Sequence, residues 1–228
     1  MKSLSIIIPA FNEESTLAHV VERIDHALAG EKVPYEIIVV DDGSTDATAR
    51  VAEGLERSNL RVVRHSTNQG AGMAVRTGIT AARHTLTMYV PADGQFDPVE
   101  IPRFVDAAQG VDIVIGYRLH RQGYGVVRKA QSVVFVKLAN MIFKMRYRDL
   151  NWVHLWRRQT AGALPVESSG VFMQTELLVR ARRAGMRIAE VPSEFLRRGG
   201  GKAKGSRPGT ILRTLVEMIA FAAKGTDA

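Results

Sequence analysis

Cysteine is absent from this 228-residue chain, and tryptophan occurs only twice. Without thiols there is no disulfide framework, no thiolate metal site and no thiol nucleophile. The six histidines, His19, His26, His65, His84, His120 and His154, include no pair at metal-ligand spacing, which argues against a zinc centre. No apolar run approaches the roughly 18 to 20 residues that cross a bilayer. The nearest candidate, residues 132–143, is interrupted by Lys137 and Asn140. Met1-Lys2-Ser3-Leu4 runs into a strand-like stretch without the layout of a signal peptide. Together these absences point to a cytoplasmic protein that does not span a membrane. Acids are also scarce: 23 Asp and Glu stand against 31 Lys and Arg, giving a formal net charge of +8 and a pI near 10.0. Such an excess favours an anionic partner: nucleic acid, an anionic membrane face or a phosphorylated substrate. Most acids lie in the first hundred residues, whereas residues 118–128, 144–158 and 180–207 are rich in Lys and Arg.

What is present is alternation. Residues 4–9, 35–40, 60–65, 85–90 and 112–116 are short and apolar at consecutive positions, as suits strands buried on both faces. Residues 14–28, 46–56, 70–83 and 98–108 between them have helical spacing, with Ser44 and Asp46 as N-cap candidates and Pro98 at a helix start. This order predicts an α/β fold: a mostly parallel, doubly wound sheet with helices on both faces. Beyond Gly116 the pattern loosens. We expect a helix over 127–145, irregular chain over 149–168, a helix over 176–184, a strand over 187–195, a basic loop over 197–208 and an amphipathic helix over 210–223. No repeat or linker divides the chain, so a single domain over 1–228 is predicted.

Open parallel sheets bind ligands beyond the C-terminal ends of their strands. Three polar clusters fall at that edge: Pro9-Ala10-Phe11-Asn12-Glu13-Glu14, Asp41-Asp42-Gly43-Ser44-Thr45-Asp46 and Pro91-Ala92-Asp93-Gly94-Gln95. Each alone reads as a capped turn; three on one edge mark a crevice. Aspartate can accept from base N–H and ribose hydroxyl groups, and acids near a diphosphate need a cation between them. Asn68-Gln69-Gly70-Ala71-Gly72-Met73 opens a helix after the third strand. Its glycines suit a phosphate approaching backbone N–H groups, and equally suit tight helix–sheet packing. Val75 stands where a dinucleotide fingerprint would have its third glycine.

The segments SIIIPAFNEES, EIIVVDDGSTDAT, NQGAGMAVRTG and PADGQFDP, in that order and spacing, resemble the donor half of family 2 glycosyltransferases. DIVIGYR, Asp149-Leu150-Asn151, SGVFMQTELLVRARRAGMRIAEVPSEF and GKAKGS resemble the dolichol-phosphate mannose synthase branch, the polyprenyl-phosphate glycosyltransferases. The resemblance covers nearly the whole chain and implies a GT-A fold. Residues 1–116 would be the nucleotide-sugar-binding half and 117–228 the acceptor-side half. It further implies that Pro9, Phe11 and Glu13 border the base and ribose, with Asp41 on the base and Asp42 nearby. Asp93, with catalytic weight, and Gln95 would stand at the diphosphate and a Mg²⁺ or Mn²⁺ ion. Arg118, Arg197, Arg198, Lys202 and Lys204 would face donor or acceptor phosphates. Two positions depart from the family pattern. Phe11 replaces the commoner Tyr, and Pro91 replaces the first acid of the DxD motif, removing a metal ligand.

The reaction so implied is an inverting, single displacement from a nucleotide sugar (GDP-mannose or a UDP-sugar) to an acceptor, with polyprenyl or dolichyl phosphate expected. A phosphate acceptor is already anionic and needs no general base. A hydroxyl acceptor would need one, and Asp149 is the candidate, against a cap or an ion pair with Arg146 or Arg148. Trp152 and Trp156, four apart, read as packing on a helix, with an interfacial face as the second reading. The basic loop and the last helix, with Ile211, Leu212, Leu215, Ile219 and Phe221 near one face, are predicted to dock on the anionic inner face of a membrane. The basic segments lack interleaved aromatics, so no nucleic-acid partner is expected. A nucleotidyltransferase would need a glycine-rich basic loop after the first strand, and PAFNEES is acidic. A non-catalytic nucleotide-sugar or membrane-binding module is the alternative that Pro91 leaves open.

Overall fold

A computed structural model of the chain describes residues 2–120, 125–199 and 208–224. Seven strands form one sheet: β1 (Leu4–Ala10), β2 (Tyr35–Asp41), β3 (Leu60–Arg64), β4 (Leu86–Tyr89), β5 (Ile113–Arg118), β6 (His154–Arg157) and β7 (Ile188–Ser193). Their order is β3-β2-β1-β4-β6-β5-β7, parallel except for β6, which runs antiparallel to both neighbours. The helices are α1 (Leu17–Leu28), α2 (Thr48–Glu53), α3 (Ala71–Ala81), α4 (Ile101–Ala107), α5 (Val126–Ile142), α6 (Arg158–Ala163), α7 (Phe172–Arg183) and α8 (Pro208–Ala223).

Consecutive apolar residues in the strands serve two cores. Leu4, Ile6 and Ile8 of β1 and Ile37 and Val39 of β2 join one core with Leu17 of α1, Ala52 of α2 and Phe104 of α4. Ile7, Ile38 and Val40 join the other, with Val75 of α3, Phe143, and Phe172 and Phe221 of α7 and α8. Period-two alternation thus divides each strand between two helical layers. Ser5 and Glu36 are the polar intrusion: Ser5 Oγ donates to Glu36 Oε1 at 2.7 Å, and Arg61 Nη2 to Oε2 at 2.8 Å. Burial alone would raise the Glu36 pKa, but Ser5, the Arg83 N–H and Arg61 together hold it below the ordinary value.

The second half of the chain departs from expectation in three places. The segment expected to be irregular contributes β6, inserted between β4 and β5, so that both halves of the chain share one sheet. Trp156 lies on β6, not on a helix, and is fully buried. Trp152 is buried too, its Nε1 donating to Ser193 Oγ at 2.9 Å, so neither tryptophan faces a membrane. Finally, the apolar residues of α8 divide between two directions. Phe221 is packed against Phe143 and Phe172, with ring centroids 5.6 and 5.8 Å away, while Leu212, Val216 and Ile219 are exposed.

Candidate active site

The loops after β1, β2 and β3 are stitched together at the C-terminal edge of the sheet. Asn12 takes a left-handed backbone (φ 51°), and its N–H donates to Ser44 Oγ at 2.9 Å. The Thr45 N–H donates to Asn12 Oδ1 at 2.8 Å, and the Glu13 N–H to Thr48 Oγ1 at 2.8 Å. These bonds fix the rim on which the expected donor residues sit. Pro9 and Phe11 are half-buried along it.

Asp41 ends β2 and is completely buried. Its Oδ1 accepts from the Ser44 N–H at 3.1 Å, whereas Oδ2 is buried without a hydrogen bond. Arg64 Nε approaches that oxygen only to 3.5 Å, as a loose ion pair. A buried carboxylate oxygen left in this state is costly and suits an incoming N–H donor.

Asp42, expected near the base, is engaged by the chain leading into α3. Its Oδ1 lies 2.7 Å from His65 Nδ1 and accepts from the Gln69 N–H at 2.9 Å, and its Oδ2 accepts from the Gly70 N–H at 2.8 Å. Asp42 therefore braces the turn leading into α3. That turn also settles the two uses open to its glycines. A Cβ on Gly70 would come 2.7 Å from the Ser169 carbonyl oxygen, and one on Gly72 the same distance from the carbonyls of Ser169 and Gly170. The Gly72 N–H donates to Ser169 O at 2.9 Å, so close backbone packing occupies the start of α3.

Across the crevice, Asp93 follows β4. Its Oδ1 accepts from the Gln95 N–H at 3.1 Å and its Oδ2 from Arg198 Nη1 at 3.1 Å. The other nitrogen, Nη2, donates to both oxygens of Glu13, at 2.6 and 2.7 Å. Burial raises the Asp93 pKa above the ordinary value, against the lowering effects of the Gln95 N–H and Arg198. Gln95 is buried, and its side-chain Nε2 is turned to the Leu196 carbonyl at 3.5 Å. Asp93 can serve as one carboxylate ligand of a divalent ion, with phosphate oxygens completing the shell, but Pro91 supplies none. Among the described residues no group of three His, Asp or Glu side chains is arranged to hold an ion.

Asp149, the candidate base for a hydroxyl acceptor, is ion-paired with Arg118. It is 1% exposed, and Arg118 donates to it in a two-pronged pair, Nε to Oδ2 at 2.7 Å and Nη2 to Oδ1 at 2.8 Å. The Leu150 N–H also donates to Oδ1, at 2.9 Å. A carboxylate so committed is a poor general base, and its two bonds fix the Arg118 guanidinium. The guanidinium lies over the Trp152 ring at 5.1 Å.

Arg118 also borders a cavity of about 420 Å³ lined by α5, α8 and the chain around Asn151. Val134, Phe135, Leu138, Ile211 and Leu215 give it an apolar wall, and Arg128 and Ser132 add polar groups beside Arg118. Arg128 and Ser132 were not singled out from the sequence. The available signal was their spacing of four on one helix, which puts both on one face. Arg197 is exposed after β7, and Lys202 and Lys204 lie outside the described residues.

A mostly parallel sheet with one antiparallel insertion and acid-bearing loops at its C-terminal edge is the GT-A glycosyltransferase architecture. A solved glucosyl-3-phosphoglycerate synthase from Mycobacterium tuberculosis, in complex with Mn²⁺, UDP and glucosyl-3-phosphoglycerate, superposes with a TM-score of 0.78 at 22% identity, over 100% of this chain and 82% of that one. Residues 5–164 match the family description "Glycosyl transferase family 2", and the chain belongs to that family. It is 38% identical over 134 residues to a dodecaprenyl-phosphate galacturonate synthase of Rhizobium johnstonii, covering 57% of this chain and 40% of that protein's length. It is 32% identical over 218 residues to an uncharacterized glycosyltransferase of Mycobacterium bovis, covering 93% of this chain and 95% of that one.

Proposed function

We propose that this glycosyltransferase moves a sugar from a nucleotide sugar to the phosphate of a polyprenyl-type lipid, with inversion at the anomeric carbon. The cavity between α5 and α8 carries the reading. It joins an apolar wall, suited to an isoprenoid chain, to Arg118 and Arg128, suited to its phosphate. The name of the Rhizobium johnstonii relative supports the same class of acceptor.

Pro9, Phe11 and Glu13 border the base and ribose, and Asp41 Oδ2 accepts a base N–H. Arg118, held by Asp149, and Arg128 orient the lipid phosphate as nucleophile. Its oxygen forms the new bond to the anomeric carbon while the bond to the nucleoside diphosphate breaks, and no proton needs removal. Asp93 would hold a Mg²⁺ or Mn²⁺ ion, which would supply charge neutralisation for the departing diphosphate. Asp93 alone holds it weakly, because one or two carboxylates plus phosphates are the usual minimum. Arg198 lies between Glu13 and Asp93, and the resemblance would give Arg197, Lys202 and Lys204 to the acceptor phosphate. A soluble hydroxyl acceptor is less well supported, because Asp149 is committed to Arg118.

No helix among the described residues is long and apolar enough to cross a membrane. We assign the protein to a peripheral, cytoplasmic position, with α8 resting on the anionic inner face.

The test is labelled sugar recovered in the organic phase after incubation with polyprenyl phosphate, with UDP- and GDP-sugars as separate arms. An Arg128→Gln variant should raise KM for the lipid while leaving nucleotide affinity unchanged. Donor binding without transfer to any acceptor would favour a non-catalytic binding module instead.

A further inference from the structure

Arg198 stands at the convergence of three loops. Its guanidinium holds Glu13 from the loop after β1 and Asp93 from the loop after β4, while its own backbone belongs to the chain after β7. The side chains are largely enclosed: Arg198 is 16% exposed, Glu13 10% and Asp93 19%. Two carboxylates drawn to one point repel each other unless a cation lies between them. Here that cation is part of the chain. Asp93 Oδ1 is engaged by the Gln95 N–H, and Pro91 offers no third acid. A divalent ion approaching Asp93 must therefore displace Arg198 or accept a guanidinium as its immediate neighbour.

We propose that Arg198 is the resident counter-cation of the Glu13–Asp93 pair and closes it to divalent ions until a nucleoside diphosphate draws the guanidinium away. The proposal rests on the reading of this crevice as a nucleotide-sugar site. A diphosphate offers the planar guanidinium two-pronged acceptors of its own, which an arginine matches better than a lysine. Once Arg198 turns to the phosphates, Asp93 and the phosphate oxygens together present hard oxygen ligands, the set that Mg²⁺ and Mn²⁺ prefer. Binding then has an order, nucleotide before metal. Arg198 is the residue that sets it.

The experiment is a Mn²⁺ titration of the full chain without nucleotide, following the electron paramagnetic resonance signal of free Mn²⁺. Arg198→Gln should bind Mn²⁺ at least about tenfold more tightly than the unaltered chain. Adding Asp93→Asn to that variant should abolish the gain, which assigns it to this pair. Arg198→Lys keeps the charge but lacks the fork that spans both acids, so its affinity should fall between the two. It also carries the test alone if Arg198→Gln does not fold by circular dichroism. Adding UDP or GDP to the unaltered chain should bring its Mn²⁺ affinity up towards that of the variant. Equal Mn²⁺ affinity of the unaltered chain and Arg198→Gln without nucleotide would overturn the proposal. Nucleotide binding is measured separately by calorimetry in EDTA; its failure would count against the nucleotide-sugar reading and leave the nucleotide-free Mn²⁺ comparison intact.

Discussion

Asp41 and Asp42 are adjacent and chemically identical, yet they have opposite occupations. Asp41 closes β2, and Asp42 follows with its side chain turned to the α3 side, as alternation along an extended chain requires. A DD pair at a strand end announces a polar edge, but the letters cannot say which acid is used up by local backbone donors. Asp42 has two such donors, the Gln69 and Gly70 N–H groups, and the His65 ring besides, while one oxygen of Asp41 has no hydrogen bond. Asp41→Ala should therefore weaken UDP or GDP binding about 10- to 100-fold, the worth of one charge-assisted hydrogen bond. Calorimetry reads it, and unchanged affinity would remove Asp41 from the base site. His154 supplies a second residue-level expectation. Burial depresses its pKa to about 3 from the ordinary 6.5, so it is neutral in the folded chain. The unfolded chain takes up that proton below about pH 6.5 and the folded chain does not, so stability falls with pH through this window, by up to roughly 1.4 kcal/mol per unit. His154→Phe should flatten urea-unfolding stability between pH 6.5 and 4; an unchanged slope would show that other groups set it.

At the scale of elements, the first five strands and the helices between them were legible because buried parallel strands and amphipathic helices have distinct apolar periods. β6 was not. It has four residues, His154–Arg157, it carries a buried histidine, and its place is fixed by neighbours distant in sequence. The crevice was legible as three motifs on one edge, whereas the pairing of Arg118 with Asp149 was not, because only the fold brings them together. α8 shows a related limit of sequence periodicity. Its amphipathic character was evident, but not which arc meets the core. Phe221 and Met218 are buried, whereas Leu212, Val216 and Ile219, at spacings of four and three, form the exposed row. That row, not the whole apolar set, is the part available to a membrane. Leu212→Glu with Ile219→Glu should reduce recovery in flotation with anionic liposomes at least severalfold while the melting temperature stays nearly constant. Equal recovery of variant and unaltered chain would retire the membrane-docking face.

For the molecule as a whole, the excess of eight positive charges and the acid-lined crevice fit a division of labour between neighbouring parts of one sheet edge. Acids gather where a nucleotide and its cation would meet, and arginines gather beside the apolar cavity where an anionic lipid head would sit. This arrangement contains positive charge for a phosphate nucleophile, and the carboxylate beside Arg118, Asp149, is bonded to it on both oxygens. Two acceptors that differ only in their head group should therefore react at different rates. The decisive measurement compares initial rates of labelled-sugar transfer to polyprenyl phosphate and to the matching polyprenol, under one nucleotide sugar and one detergent. Transfer to the phosphate at a rate at least about a hundredfold above that to the alcohol is the predicted result, within the range that general-base assistance contributes. Comparable rates with both lipids, or transfer to the alcohol alone, would contradict it.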